Sequence, residues 1–239
     1  MRSVTYGGRD LGKWCMAEAE EPAAQALEVA GVEVPGRPGL VPCGSTLPPR
    51  AFRVRLMMDA GATMTAEALA AARRELRSWL CAPDGAELVL PGDPGLAWRD
   101  CFVTGVSGWS DLFEGGECLV DFTCLDPVAW GEERVERGTH FDVGGTWETW
   151  PVVRMVARAG GSAMVGLQGA GARVAVSRSL AAGDVVEVDM AARAVTVNSA
   201  AADADVDVGS EFFALAPGPA AVEVAGASSF EVRYVERWL

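Results

Sequence analysis

Polar and apolar residues alternate with a period of two over much of the chain, the mark of strands with one buried face. From Ala51 to Met58, Phe52, Val54 and Leu56 share one side while Arg53 and Arg55 take the other, which predicts a half-buried strand. Further strands are predicted at Ala86–Leu90, Trp98–Val106 and Glu117–Cys124; in the last, Cys118, Val120, Phe122 and Cys124 share a face. The segment Leu27–Val34 also alternates and runs into Pro35-Gly36-Arg37-Pro38-Gly39, a turn or exposed loop.

At one place the pattern switches to steps of three and four. Leu69, Ala72, Leu76, Trp79 and Leu80 form an apolar stripe, with Arg73, Arg74 and Arg77 falling away from it. This predicts a helix from about Ala66 to Cys81, anchored in the core by Leu69, Leu76, Trp79 and Leu80. Thr65 is its expected N-cap, Glu67 suits the positive end of the helix dipole, and Pro83 and Gly85 stop it.

Beyond Cys124-Leu125-Asp126-Pro127 the chain reads as nearly all strand. Short β-rich runs at Val152–Ala157, Ala163–Gln168, Ala172–Ser177, Asp184–Asp189, Arg193–Asn198, Ala220–Ala225 and Ser229–Val235 are separated by glycines, as in an antiparallel sandwich or barrel. The Asp-Pro pair and the polar run to Arg137-Gly138 are linker signals. They divide the chain into residues 1–130 and 131–239. The fold class expected is mainly β, with two sandwich-type domains, the first flanked by an α-helix.

Charge narrows the functions available. The 239 residues carry a formal net charge of −13, both halves are acidic, and Lys13 is the sole lysine. No Lys/Arg run exceeds Arg73-Arg74, so nucleic acid is not an expected partner, because binding it requires clustered positive charge. The stretch between Arg158 and Arg173 is too short and Gly-rich for a membrane span, and Met1–Asp10 has no apolar run of signal-peptide length. The six cysteines all precede residue 125 and form no Cys-x-x-Cys pair, which reads as small buried side chains in a reducing compartment.

Candidate chemistry is sparse. The single histidine, His140, excludes a multi-histidine metal site and leaves one imidazole for any triad. Gly105-Val106-Ser107-Gly108 lacks the spacing of a nucleophile elbow. Asp203, Asp205 and Asp207 resemble a calcium loop, but Val208 stands where the loop needs Gly and Ala214 where it needs Glu. No phosphate-binding glycine motif precedes a helix. The reading is of a protein without catalysis, metal or cofactor. Trp147 and Trp150 are a candidate stacking platform for a saccharide.

Motifs in order along the chain resemble the distal tail proteins of long-tailed phages, the siphophage tail-component family. Val34-Pro35-Gly36-Arg37-Pro38-Gly39 resembles that family's V-P-G-R-x-G loop, followed by the Arg74–Leu80 helix and Phe122-Thr123-Cys124-Leu125-Asp126-Pro127. Later come Pro151-Val152-Val153-Arg154 behind a loosely matching Gly144-Gly145-Thr146, then Gly183-Asp184-Val185-Val186-Glu187-Val188-Asp189. Phe212–Gly218 and the closing Val232–Leu239 complete the series.

The resemblance implies a hexameric adaptor at the distal end of a virion tail, assembled in the bacterial host cytoplasm. Its expected partners are other copies of itself, the tail tube protein and a tail-associated hub or tip protein. It implies a ring-forming first domain and a galectin- or carbohydrate-module-type second domain, whose last strand could return to the first. Gly36, Arg37, Pro38 and Gly39 are the candidate intersubunit loop. An acidic ring lining would let DNA pass without binding it. The alternative reading is a module that recognises host-surface saccharide.

Overall fold

The structure is a computed structural model describing residues 3–20, 25–58, 64–158 and 160–239. It is mainly β and separates into two compact units, residues 1–129 with Leu239, and Trp130–Trp238.

The first unit contains β1 (Thr5–Tyr6), β2 (Arg9–Asp10), β3 (Met16–Glu20), β4 (Glu28–Glu33), β5 (Leu40–Thr46) and β6 (Arg50–Met57). These are followed by α1 (Ala66–Leu80), β7 (Ala86–Val89), β8 (Ala97–Ser107), α2 (Trp109–Leu112) and β9 (Glu117–Cys124). Antiparallel pairing runs in the order β3-β6-β9-β8-β7-β1-β2. Phe52 pairs with Phe122 and Val54 with Val120, so the alternating apolar positions of β6 and β9 fall on one face, and all four are buried. Tyr6 on β1 meets Phe122 on β9 edge-on at 5.0 Å and donates its hydroxyl to the Cys101 carbonyl at 2.9 Å. Two strands so far apart in the pairing order touch because the sheet folds over on itself, giving the layers of a sandwich.

The helix begins where its sequence directs. Thr65 Oγ1 accepts from the Ala68 amide at 3.2 Å, and the helix ends at Leu80. Its buried side chains are Ala72, Leu76 and Leu80. Leu69 and Trp79 are only half-buried, so the core stripe is narrower than the sequence spacing indicates. Trp79 instead joins a polar clamp. The Lys13 ammonium lies 5.5 Å from the centre of its ring and binds both Glu75 carboxylate oxygens at 3.0 Å. That hydrogen bond holds the Glu75 carboxyl below the usual range, and Trp14 Nε1 adds a second donor.

The cysteines depart from their expected role. Cys101 on β8 stands directly opposite Cys124 on β9, and the two form a disulfide. The Leu125 amide donates to the Asp100 carbonyl, so Cys101 and Cys124 occupy the neighbouring non-hydrogen-bonded pair, where side chains on facing strands come closest. Strand register sets this pairing, and sequence spacing does not reveal it. Cys15 and Cys118 are buried thiols, whereas Cys43 and Cys81 are exposed.

The second unit is a two-layer sandwich. Its strands are β10 (Ala129–Glu136), β11 (His140–Val143), β12 (Val152–Ala157), β13 (Gly161–Leu167), β14 (Arg173–Leu180) and β15 (Val185–Asp189). The series ends with β16 (Ala194–Val197), β17 (Ala200–Ala201), β18 (Gly218–Ala225) and β19 (Ala227–Trp238). One layer runs β17-β16-β15-β12-β19-β10, and the other is the four-stranded sheet β11-β18-β13-β14. Val153, Met155, Val186, Val188, Val232 and Tyr234 from the first layer pack against Ala163, Val165, Val174, Val176 and Val222 from the second. The closing strand β19 lies between β12 and β10.

The Gly183-Asp184 motif in this unit is turn chemistry. Gly183 takes φ +90°, and the Asp184 carboxylate accepts from the Ala181 amide at 2.8 Å and from Asn198 Nδ2 at 2.9 Å. The Asn198 hydrogen bond, more than the backbone one, lowers the Asp184 pKa. Because the folded value is depressed, this stabilisation is present at neutral pH and is lost as pH falls through the folded value.

Two measurements check this description. Leu76→Ala should cost about 2–5 kcal/mol. Trp79→Ala should cost less, because the ring is only partly buried, and thermal melting of both variants would expose the opposite order. Burial pushes the Cys15 thiol up to about 12 and the Cys118 thiol up to about 11. At pH 8, alkylation of the native protein followed by mass spectrometry should therefore modify Cys43 and Cys81 rapidly and leave Cys15 and Cys118 unmodified. Rapid labelling of the second pair would contradict their burial.

Candidate functional site

The first candidate surface is the ribbon made by β4 and β5, a two-stranded sheet that pairs with no other strand among the described residues. The Arg37 amide donates to the Val34 carbonyl at 3.1 Å, with Pro35 and then Gly36 between them. Gly36 has φ +83°, so this is a type II turn, which favours Pro at its second position and Gly at its third. Below the tip, a Cβ on Gly31 would lie 2.9 Å from that of Leu40, so glycine lets the strands approach.

The ribbon's sequence alternation does not produce burial. Every residue of β4 is exposed. Leu27, Val29, Val32, Val34 and Leu40 keep between 42% and 65% of their surface in contact with solvent. An isolated two-stranded ribbon is marginal in water, and this one holds apolar side chains outward with nothing among the described residues over them. The predicted intersubunit residues Gly36, Arg37, Pro38 and Gly39 form its exposed tip.

The same unit carries an open apolar groove of about 620 Å³, lined by Leu80, Cys81, Pro83, Phe102, Val106 and Trp109, with Arg77 at its side. Val106 is 46% exposed. The Arg77 guanidinium sits 5.7 Å from the Trp109 ring centre.

In the second unit a cleft of about 550 Å³ is lined by Trp130, Glu133, Trp150, Glu187, Asp189 and Arg233, among others. Trp147 is not part of that lining, so the structure does not join Trp147 and Trp150 into one platform. The Trp147 amide is bound to the Arg237 carbonyl, and Thr149, which is 3% exposed, donates its hydroxyl to the Val235 carbonyl at 2.7 Å. Trp130 was not identified from sequence. It stacks beneath Arg237, whose guanidinium carbon lies 4.2 Å from its ring centre.

The remaining sequence candidates resolve into ordinary structure. His140 opens β11 with an exposed ring beside the Thr139 hydroxyl. Asp203 accepts from the Val195 amide, Asp205 pairs with Arg178, and Asp207 binds the Ser177 hydroxyl. Among the described residues no group of three or more His, Cys, Asp or Glu side chains is placed to hold a metal ion. No helix of the described residues is long and apolar enough to cross a membrane.

Comparison with known proteins gives this geometry a setting. Residues 144–238 match the family described as siphovirus-type tail component, C-terminal domain. No curated protein sequence matches the chain. Among solved structures, the Dit protein (gp 19.1) of phage SPP1 superposes with a TM-score of 0.82 at 16% identity, covering 99% of each chain. A chain of the phage P2 baseplate, in its activated conformation with calcium, gives a TM-score of 0.49 at 9% identity, covering 95% of this chain and 92% of that one. The profile match begins at the Gly144-Gly145 pair and ends within the closing strand, so it spans the motifs that suggested the resemblance in this half. Residues 144–238 therefore match the siphovirus-type tail component family, and the chain as a whole has the fold of SPP1 Dit.

Proposed function

We propose that this protein is a structural ring subunit at the distal end of a phage tail. Six copies close into an adaptor between the tail tube protein and a hub or tip protein. SPP1 Dit is described as a paradigm of the hub adsorption apparatus in phages that infect Gram-positive bacteria. The proposal brings a hub role of that kind to this chain.

The observation that carries the reading is the bare β4–β5 ribbon. It exposes Val29, Val32 and Leu40, and the same unit exposes a groove of matching apolar character around Phe102 and Val106. One surface projects and the other is concave, so two copies meet through different patches. Such a heterologous contact generates a closed ring when its rotation closes. Charge favours the same pairing, since the ribbon carries Glu28 and Glu33 and the groove carries Arg77. The type II turn presents Arg37 at the leading end.

Size-exclusion chromatography with light scattering should give a particle of six times the 25.0 kDa chain mass, alone or with the tail partners present. Val29→Asp with Val32→Asp should abolish that particle while leaving the melting transition of the subunit in place. Val106→Asp should do the same from the groove side. Arg37→Glu should weaken assembly by about tenfold or more in concentration. A chain that stays monomeric at high concentration with its tail partners present would overturn the reading, as would ring assembly indifferent to all of these substitutions.

A further inference from the structure

We infer that Cys43 and Cys81 are the two halves of a covalent latch between neighbouring copies. The thiol on one copy's ribbon and the thiol in the next copy's groove join as a disulfide in an oxidising medium. The inference rests on the ribbon-in-groove reading and adds a chemical step to it.

The cysteines sort by place. Cys101 and Cys124 are already joined to each other, and Cys15 and Cys118 are buried. Cys43 and Cys81 are the exposed thiols, and each stands on one of the two surfaces that meet in the ring. Ala30 pairs with Gly44 and Gly31 with Pro42, so Cys43 is the extra residue of a β-bulge and has no partner on β4. It lies between the Val29–Ser45 and Val32–Val41 pairs, in the middle of the exposed apolar stretch. Its neighbours Ala30, Gly31 and Gly44 are too small to cover it. Cys81 follows the last residue of α1 and lines the groove with Leu80, Pro83, Phe102 and Val106. When Val29 and Val32 enter that groove, Cys43 is the ribbon residue carried in between them. A disulfide requires Cα atoms within about 7 Å of one another, so the bond selects one seating of the ribbon and then fixes it.

The oxidant is a low-molecular-weight disulfide of the medium. The Cys81 thiolate attacks one of its sulfurs and releases the other half. The neighbouring copy's Cys43 thiolate then attacks the Cys81 sulfur of that mixed disulfide and releases the second half. Two protein thiols are oxidised, one small disulfide is reduced to two thiols, and the protein's two thiol protons end on the released groups. In a reducing compartment both cysteines stay thiols and copies exchange. In an oxidising one, a ring that had assembled reversibly becomes permanent.

The test treats the full chain with oxidised glutathione, once at a concentration where light scattering shows the ring and once where it shows monomer. Both samples are read on denaturing gels without reductant. The ring sample should give a ladder from dimer to hexamer that collapses to single chains with dithiothreitol, and the monomer sample should give none. Mass spectrometry of the unreduced digest should find Cys43 joined to Cys81. Cys43→Ser and Cys81→Ser should each lose the ladder. An equimolar mixture of the two variants should give a band that stops at the dimer, because each copy then keeps one half of the latch. A ring without a ladder, a ladder that persists in either variant, or Cys43 joined to Cys81 within one chain would overturn the latch, while light scattering on the reduced protein judges the ring by itself. A chain that forms no ring under reducing conditions, alone or with its tail partners, overturns the ring reading and the latch with it.

Discussion

The second unit depends on how its last strand is held. β19 supplies Val232 and Tyr234 to the core, pairs with β12 along most of that strand, and receives the Thr146 and Trp147 amides at its Arg237 carbonyl. The Thr149 hydroxyl satisfies the Val235 carbonyl, and Glu236 takes the Arg134 guanidinium at 2.8 Å. A Cβ on Gly145 would run into the Arg237 carbonyl, so the Gly-Gly pair is the condition for the 144–150 segment to lie against that strand. Carbonyls beyond the end of the β12 pairing need partners, and here a short irregular segment provides them.

That dependence explains which parts of the fold the sequence reveals. The helix is legible because Thr65, the three- and four-residue stripe and Pro83 agree with each other locally. The strand at Glu117–Cys124 is legible because its alternation coincides with real burial, and the structure gives the same bounds. Gly183-Asp184 is legible as a turn, since its partners Ala181 and Asn198 lie nearby in the chain.

Other features are set by what lies across from a residue. Leu27–Val34 has the period of a half-buried strand, yet among the described residues nothing covers it, because period reports a repeating face and not whether anything packs on it. Trp79 carries the right spacing for the core but sits at the stripe's margin, drawn to Lys13. The Cys101–Cys124 link needs the register of distant strands. Trp147 and Trp150 look paired in the sequence, and only the folded chain shows that Trp150 lines the cleft and Trp147 does not. Trp130 gives no local signal, because its relation to the cleft is made by Arg237, far along the chain.

The bare ribbon has a cost before any assembly occurs. Among the described residues neither of its edges has a strand neighbour, and its side chains include Val29, Val32, Leu40 and Val41, the composition from which uncontrolled edge-to-edge stacking starts. The net charge of −13 gives each copy a repulsive shell that slows such encounters. Added salt shortens the reach of that repulsion and leaves the apolar attraction in place. The acidity therefore bears on the colloidal stability of a chain whose ribbon holds apolar side chains in solvent.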